Sequence, residues 1–223
     1  IFDINGDAGE RLASELGELF VHCDVADEQS VSNAFLTANK RNGATRLLVN
    51  CAGIAPMARI VRRSGPHTLT MFEEVIRVNL TGTFNCTRIV ATSMAQLDAQ
   101  KDEDRGVIIN TASVAGFDGN VGSVAYSASK AAVAGMTLPL ARDLAEHDIR
   151  VVAIAPGAFD TPMYGTIERR AASKMLKDVL SPRRIGQPAE FAKLVRHIVE
   201  NQMLNGEVIR LDAGIRMAAS YSD

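Results

Sequence analysis

The chain has 223 residues, 47% of them hydrophobic and 22% charged, which places it among ordinary globular proteins and outside the disordered and collagen-like ranges. Lys plus Arg number 24 against 26 for Asp plus Glu, a net charge of -2, so the general basic footprint of a nucleic-acid-binding protein is absent. Three scattered cysteines, Cys23, Cys51 and Cys86, form no C-x-x-C, and no apolar run reaches the roughly 18 residues that a membrane helix needs. The expectation is one domain over residues 1–223, cytoplasmic, or in the mitochondrial matrix if the source is eukaryotic, with no nucleic-acid or membrane partner.

Along the chain, apolar runs alternate with amphipathic segments. Ile1-Phe2-Asp3 reads as the end of a buried strand, so the sequence is expected to begin inside a domain. Asp7 is placed to cap a helix whose Ala8, Leu12 and Leu16 repeat at i, i+4 and i+8 and which Gly17 closes. Leu19 to Cys23 reads as a short strand, and Asp24 to Asp27 as the turn into a helix bearing Val31, Ala34 and Phe35. Arg46 to Asn50 is a strand ending at Cys51-Ala52-Gly53, and Arg59 to His67, with three arginines and Gly65-Pro66, is an exposed loop. Thr70-Met71-Phe72-Glu73 has capping-box spacing and opens a long helix through Val75, Val78, Phe84 and Ile89. Then come the strand Gly106 to Asn110, a helix from Ala125 to Ala145, the strand Arg150 to Ala155 and the turn Pro156-Gly157. Pro188 suits the first turn of a helix carrying Phe191, Leu194, Val195 and Ile198, and Glu207 to Leu211 is the last strand. Continuously apolar, β-branched strands separated by helices predict an α/β fold with a single doubly wound parallel sheet.

Few segments suggest chemistry. Asp3-Ile4-Asn5-Gly6-Asp7 has alternating oxygen ligands, but Ala8 and Ser14 stand where a calcium loop needs Gly and an acid. His22, His67, His147 and His197 show no paired ligand spacing, so no metal site is predicted. The segment Ser113 to Lys130, SVAGFDGNVGSVAYSASK, is different. Tyr126 and Lys130 stand four apart near the start of a predicted helix, which puts both on one face. A fixed ammonium beside a phenol favours the phenolate, so Lys130 is expected to lower the Tyr126 pKa and make it a usable base. Ser113 leaves the carboxyl end of a strand, where open parallel sheets hold ligands, and its hydroxyl is placed to polarise the same substrate oxygen.

Ser113, then Tyr126 thirteen residues on, then Lys130, resembles the catalytic Ser, Tyr and Lys of the short-chain dehydrogenase/reductase family. Asn50-Cys51-Ala52-Gly53 is similar to that family's N-N-A-G strand end, with Cys51 replacing one Asn, and Asn79 in Val78-Asn79-Leu80-Thr81-Gly82 to its fourth catalytic residue. Asp24-Val25 resembles the pair beside the adenine ring, Pro156-Gly157 the turn beside the nicotinamide, and Leu211-Asp212-Ala213-Gly214 the end of the last strand. Longer tracts, GVIINTASVAGF (Gly106 to Phe117), AYSASK (Ala125 to Lys130) and LNGEVIRLDAGIRM (Leu204 to Met217), are similar to one branch, the type 2 3-hydroxyacyl-CoA dehydrogenases, which also oxidise hydroxysteroids. The resemblance implies a homotetramer that transfers a hydride between NAD and a small secondary alcohol or ketone. It also adds Cys51, Phe159 and Thr161 to the cofactor contacts and gives Asn79 the task of ordering a water beside Lys130.

The family's Gly-rich turn, T-G-x-x-x-G-x-G, does not occur in the 223 residues. A strand–helix unit of roughly thirty residues ahead of Ile1 is the expected carrier. Asp3 closes the strand whose carboxylate in dinucleotide-binding folds accepts from the adenine ribose, and it would repel a 2'-phosphate, so NAD is favoured over NADP. Thr161 to Pro182, with Met163, Tyr164, Met175 and Leu176, reads as a lid over the substrate. The alternatives are an NADPH-dependent 3-oxoacyl carrier-protein reductase, and a scaffold of the same fold without chemistry.

Overall fold

The computed structural model describes residues 1–98, 104–165 and 176–219. In chain order the elements are β1 (Phe2–Asp3), α1 (Gly6–Leu16), β2 (Val21–His22), α2 (Glu28–Asn42), β3 (Leu47–Asn50), a hairpin of β4 (Val61–Arg62) and β5 (Gly65–Pro66), then α3 (Leu69–Ile76). A π-helical turn, Arg77–Gly82, joins α3 to α4 (Thr83–Met94). β6 (Gly106–Thr111), α5 (Val124–Asp143), β7 (Ile149–Pro156), α6 (Pro162–Gly165), α7 (Pro188–Glu200) and β8 (Val208–Leu211) complete the chain.

The fold is α/β, as the strand and helix pattern predicts. A parallel sheet of order β3-β6-β7-β8 has Asn50 beside Asn110 and Asn110 beside Ala153 in register, so the strands end together along one edge. Helices cover both faces, and accordingly nearly every residue of β6 and β7 is buried. One apolar cluster unites Val31 and Phe35 of α2, Val90 and Met94 of α4, and Ile108 and Val151 of the sheet. The opposite face packs Val107, Ile109, Val152 and Ile154 under Phe191, Leu194, Val195 and Ile198 of α7.

The single sheet is drawn in two pieces. β1 pairs only with β2, in parallel, and a groove of about 390 Å³ lies between β1 and β3. Local capping also differs from expectation. Asn5, not Asp7, caps α1, taking the Ala8 N–H on its side chain, and Gly17 closes the helix at φ 70°. The face of α1 that packs inward carries Gly9 and Ala13, while Leu12 and Leu16 are exposed, because Gly9 must pass against the Phe20 ring. Thr68 caps α3 with no side-chain hydrogen bond, so the Thr70 capping box does not form. Pro188 does open α7, where Gln187 and Glu190 close a capping box.

Arg150, buried in β7, pairs with Asp104 at 2.7 Å and donates to the carbonyls of Ile198, Val199 and Leu204 around the end of α7. A buried cation thereby satisfies a helix terminus that would otherwise leave carbonyls unpaired in the core. No helix among the described residues is long and apolar enough to cross a membrane. Most of the predicted lid, residues 166–175 with Met175, lies outside the described residues, as does the Tyr164 side chain.

Candidate active site

The carboxyl edge of the sheet gathers the predicted catalytic side chains. β6 ends at Thr111, and the chain turns through Ser113, whose Oγ accepts the Ala115 N–H at 3.1 Å and caps a short 3-10 turn. The Ser113 hydroxyl acts on the Tyr126 phenol and pulls its pKa down, so a residue after β6 and one on the first turn of α5 come together across the thirteen-residue spacing. One turn further along α5, Lys130 is 4% exposed; its Nζ donates to the Thr111 carbonyl at 2.7 Å and lies 5.8 Å from the centre of the Tyr126 ring.

Asn79, fully buried, sits in the π-helical turn. Its Oδ1 accepts the Ile54 N–H at 2.8 Å, and its Nδ2 donates to the Ile54 carbonyl at 2.9 Å and to Ser129 Oγ at 3.0 Å. The carboxamide thus clamps the loop after β3 to α5. A Cβ at Gly53 would sit 3.2 Å from Asn79 Oδ1 and 3.7 Å from Lys130 Nζ, so only glycine keeps that floor open. All three bonds of the carboxamide are to protein atoms.

Burial changes the acid–base picture. It pushes the Tyr126 phenol up from its ordinary value, and the Ser113 hydrogen bond pulls it only part of the way back. The expectation of a lowered phenol pKa is therefore corrected: the net direction is upward, set by desolvation of the phenolate, while the Lys130 amine donates to the Thr111 carbonyl. Lys130 is itself lowered to about 8 by burial, with the neighbouring Cys51 thiol opposing that shift, so at neutral pH it remains mostly an ammonium.

The cofactor candidates fall into two groups. Asp3, Val25, Asn50, Cys51 and Ala52 all line the groove between β1 and β3, and Gly53 follows directly. Asp3 accepts the Asn5 N–H at 2.8 Å and stays exposed. The Asp24 carboxylate is engaged locally, by the Ala26 N–H at 2.9 Å and by Arg77 at 3.3 Å, while the Val25 carbonyl accepts from Asn85. Asn50 donates to Asn110 Oδ1 at 2.9 Å; Asn110 Nδ2, fully buried, has no partner among the described residues. Cys51 is exposed and its sulfur accepts from Thr111 Oγ1.

The second group follows β7 and lies apart from that groove. Gly157 passes so close to Asp212 that a Cβ would meet it at 3.0 Å. The Phe159 ring turns away to pack on Gly186 and, edge to face, on Phe191, leaving its main chain to the site, and exposed Thr161 reaches the Phe159 carbonyl at 3.5 Å. Sequence reading passed over Thr111, Ser129 and Asn110. Ser129 stood inside the AYSASK tract as a signal, but Thr111 acts through its carbonyl, which no residue type announces.

A parallel α/β sheet whose carboxyl edge holds a buried Ser113 and Lys130 beside a half-buried Tyr126 defines an enzyme of the nucleotide-dependent oxidoreductase class. The chain belongs to the short chain dehydrogenase family, whose model matches residues 1–172. It is 48% identical over 221 residues to the Bos taurus 3-hydroxyacyl-CoA dehydrogenase type-2, covering 97% of this chain and 85% of the bovine protein. It is 34% identical over 223 residues to a 3-oxoacyl-[acyl-carrier-protein] reductase of Aquifex aeolicus, covering 95% of this chain and 86% of that protein. Among solved structures, 3-hydroxyacyl-CoA dehydrogenase type-2 from Mycobacterium avium matches at a TM-score of 0.91 and 38% identity, over 98% of this chain and 86% of the other.

The lowered Lys130 pKa has a stability signature. Between about pH 8, where the folded amine titrates, and the ordinary 10.5, the unfolded chain binds more protons, so the burial penalty is complete below pH 8 and relieved as pH rises to 10.5. Urea unfolding at pH 7 and pH 10 should show the wild type gaining stability relative to Lys130→Met at the higher pH. A pH-independent difference would mean that the folded amine titrates normally.

Proposed function

We propose that this protein is an NAD-dependent dehydrogenase of secondary alcohols, with 3-hydroxyacyl-CoA thioesters or hydroxysteroid-like molecules as substrates and Ser113, Tyr126, Lys130 and Asn79 as its machinery. The observation that carries the reading is the buried Lys130 amine, held 5.8 Å from the centre of the Tyr126 ring by the Thr111 carbonyl, two residues before Ser113. Four intact residues of the set weigh against a scaffold without chemistry.

The residues present fit a nicotinamide dinucleotide. Five candidate contacts line one groove, and the Cβ-free floor at Gly53 leaves room directly over Asn79 and Lys130. Asp3 and Val25 would hold the adenosine end, Asn50 to Gly53 the middle, and Lys130 with the Pro156-Gly157 turn the nicotinamide end. Bound NAD supplies the hydride acceptor. In oxidation, the substrate hydroxyl gives its proton to Tyr126 Oη while Ser113 Oγ holds the same oxygen; in reduction, Tyr126 returns the proton. The raised phenol suits the second direction at neutral pH, and oxidation should accelerate as pH rises. Lys130 places a cation against the phenolate as it forms, and Asn79 keeps the Gly53 floor at its distance.

Tyr126→Phe should cut turnover by about a hundredfold or more, while NADH fluorescence titration still reports binding. Near-wild-type turnover would remove Tyr126 from the proton step. The exposed Asp3 carboxylate favours a free ribose hydroxyl over a 2'-phosphate, so kcat/KM should be higher with NAD than with NADP. The reverse preference, with activity on a carrier-protein thioester, would turn the assignment to a 3-oxoacyl-[acyl-carrier-protein] reductase like that of Aquifex aeolicus.

A homotetramer is part of the same proposal. Val124, Ala128, Ala131, Gly135 and Leu138 form an exposed stripe along α5, and from Val124 to Ala141 the helix carries one charge, buried Lys130. Phe84 on α4 is exposed as well. An uncharged helical face of this kind is stable in water when another copy covers it. Light scattering at micromolar concentration should give four chains, and a monomer would refute the assembly.

A further inference from the structure

Arg210 stands on β8, at the edge of the four-stranded sheet away from the Asp3 groove, yet its bonds run to the segment that bears Ser113. Its two terminal nitrogens donate to the two Asp118 oxygens at 3.0 and 2.8 Å, its Nε donates to Asp212 Oδ2 at 2.8 Å, and Nη2 also reaches the Ile215 carbonyl at 2.9 Å. Every nitrogen of the guanidinium is engaged. Its carbon lies 5.6 Å from the centre of the Phe117 ring. A planar fork of five donors can hold two carboxylates and a carbonyl in fixed directions, whereas an ammonium on a flexible stem cannot.

Both ends of this contact lead towards the site. Asp118 closes the turn that Ser113 opens: the Gly116 N–H donates to the Ser113 carbonyl, and the Phe117 and Asp118 N–H groups donate to the Val114 carbonyl, each at 3.0 Å. The bond that fixes the Ser113 hydroxyl, from the Ala115 N–H, lies inside the same turn, so a shift at Asp118 is passed back to that hydroxyl. On the other side, Asp212 and Ile215 hold the chain after β8, where the Ala213 carbonyl accepts the Leu180 N–H at 3.1 Å. Ile215 then packs with Val114 and Val179 in one buried cluster. Both carboxylates are largely shielded from solvent, which keeps the network strong in ordinary salt.

We propose that Arg210 is a positioning residue for the Ser113 hydroxyl, acting through Asp118, and that it governs turnover without governing cofactor affinity. The inference rests on the dehydrogenase reading of the same site. Arg210 bonds Asp118, Asp212 and Ile215, so it works through the turn and not on the reacting atoms. The Ser113 hydroxyl has to meet a substrate oxygen at hydrogen-bond distance, and a misplacement of about 1 Å at such a group costs about a hundredfold in rate. The cofactor groove lies beyond β3, across the sheet from β8, and does not depend on this contact.

The test uses two single variants and their combination, with 3-hydroxybutyryl coenzyme A and NAD as substrates. Arg210→Met and Asp118→Asn should each lower kcat at least tenfold, while the Kd for NADH, read by fluorescence titration, stays within about threefold. The double variant should be no more than about threefold slower than the slower single, because both changes break one contact. Losses that multiply in the double variant refute the route through Asp118. A kcat within about twofold of wild type in either single, or an equal loss of NADH affinity, overturns the positioning role. Arg210→Lys keeps the charge and lacks the fork, so where Arg210→Met does not fold it serves instead, and wild-type turnover in it counts against the proposal. Hydrogen exchange reads the contact without catalysis: amides 115–118 should exchange at least tenfold faster in Arg210→Met, with β6 and α5 unchanged, and unaltered exchange there sinks the idea whatever the activity. A wild type that oxidises no secondary alcohol, with that faster exchange in the variant, would contradict the proposed reaction and leave the hold of Arg210 on the Ser113 turn standing.

Discussion

A lysine ammonium buried in the carboxyl edge of a parallel sheet is the constraint around which the site is arranged. An isolated charge in a protein interior is costly, and the fold meets that cost with an acceptor fixed by main chain, the Thr111 carbonyl at the end of β6. A carbonyl at a strand end does not rotate away, so Nζ is fixed to the sheet and not merely to its own helix. Everything that touches Lys130 then inherits a position: Tyr126 one turn back on α5, the Cys51 thiol across from it, and Gly53, whose missing side chain leaves the amine uncovered.

The π-helical turn at Arg77–Gly82 carries that constraint to the rest of the carboxyl edge. An extra residue in one helical turn widens it and changes which side chains face inward, which is why such turns recur at functional places. Here it sends Asn79 into the core, where the carboxamide bonds both main-chain groups of Ile54 as a neighbouring strand would. Its ends reach the other loop. Arg77 meets Asp24, and Gly82 lies against Val25, where a Cβ would come within 2.6 Å of Val25 Cγ2. One turn of helix therefore spaces the loop after β2 from the loop after β3, the two loops that bound the groove beside Asp3.

What the sequence made legible was the part that repeats or is spaced along the chain. Buried β-branched runs located β3, β6, β7 and β8, and the Ser113, Tyr126 and Lys130 intervals predicted side chains that do meet. Properties that depend on environment were not legible. The Tyr126 phenol moves up, not down, because desolvation is a property of the surrounding atoms, and the Asp24 carboxylate is engaged by an arginine 53 residues away. Short-range chemistry also misled at helix starts: Asp7 and Thr70 are good capping residues, yet Asn5 and Thr68 occupy the cap positions because tertiary packing sets where the helices begin. The Arg59 to His67 stretch has the sequence of a loop, since Gly65-Pro66 breaks any strand pattern, and only the pairing of Val61 with Pro66 shows the hairpin.

Charge ties the segment after β6 to the end of β8. Arg210 of β8 donates to both oxygens of Asp118, at 3.0 and 2.8 Å, and to Asp212 at 2.8 Å, and stacks 5.6 Å over the Phe117 ring. The guanidinium holds the Asp118 carboxyl below its ordinary value, so the carboxylate stays charged to lower pH than a free one. Asp118 follows the turn that bears Ser113 by five residues, and Asp212 is the residue that Gly157 approaches. One arginine therefore joins the segment bearing the Ser113 hydroxyl to the turn after β7. Because both partners are well shielded, with side-chain exposures of 22% and 14%, and the contact is bidentate, it is far less screened than a surface pair and can set geometry where a solvated pair would not. Ser113, Tyr126 and Lys130 are thus fixed from two directions, by a buried amine bonded to β6 and by a guanidinium anchored in β8.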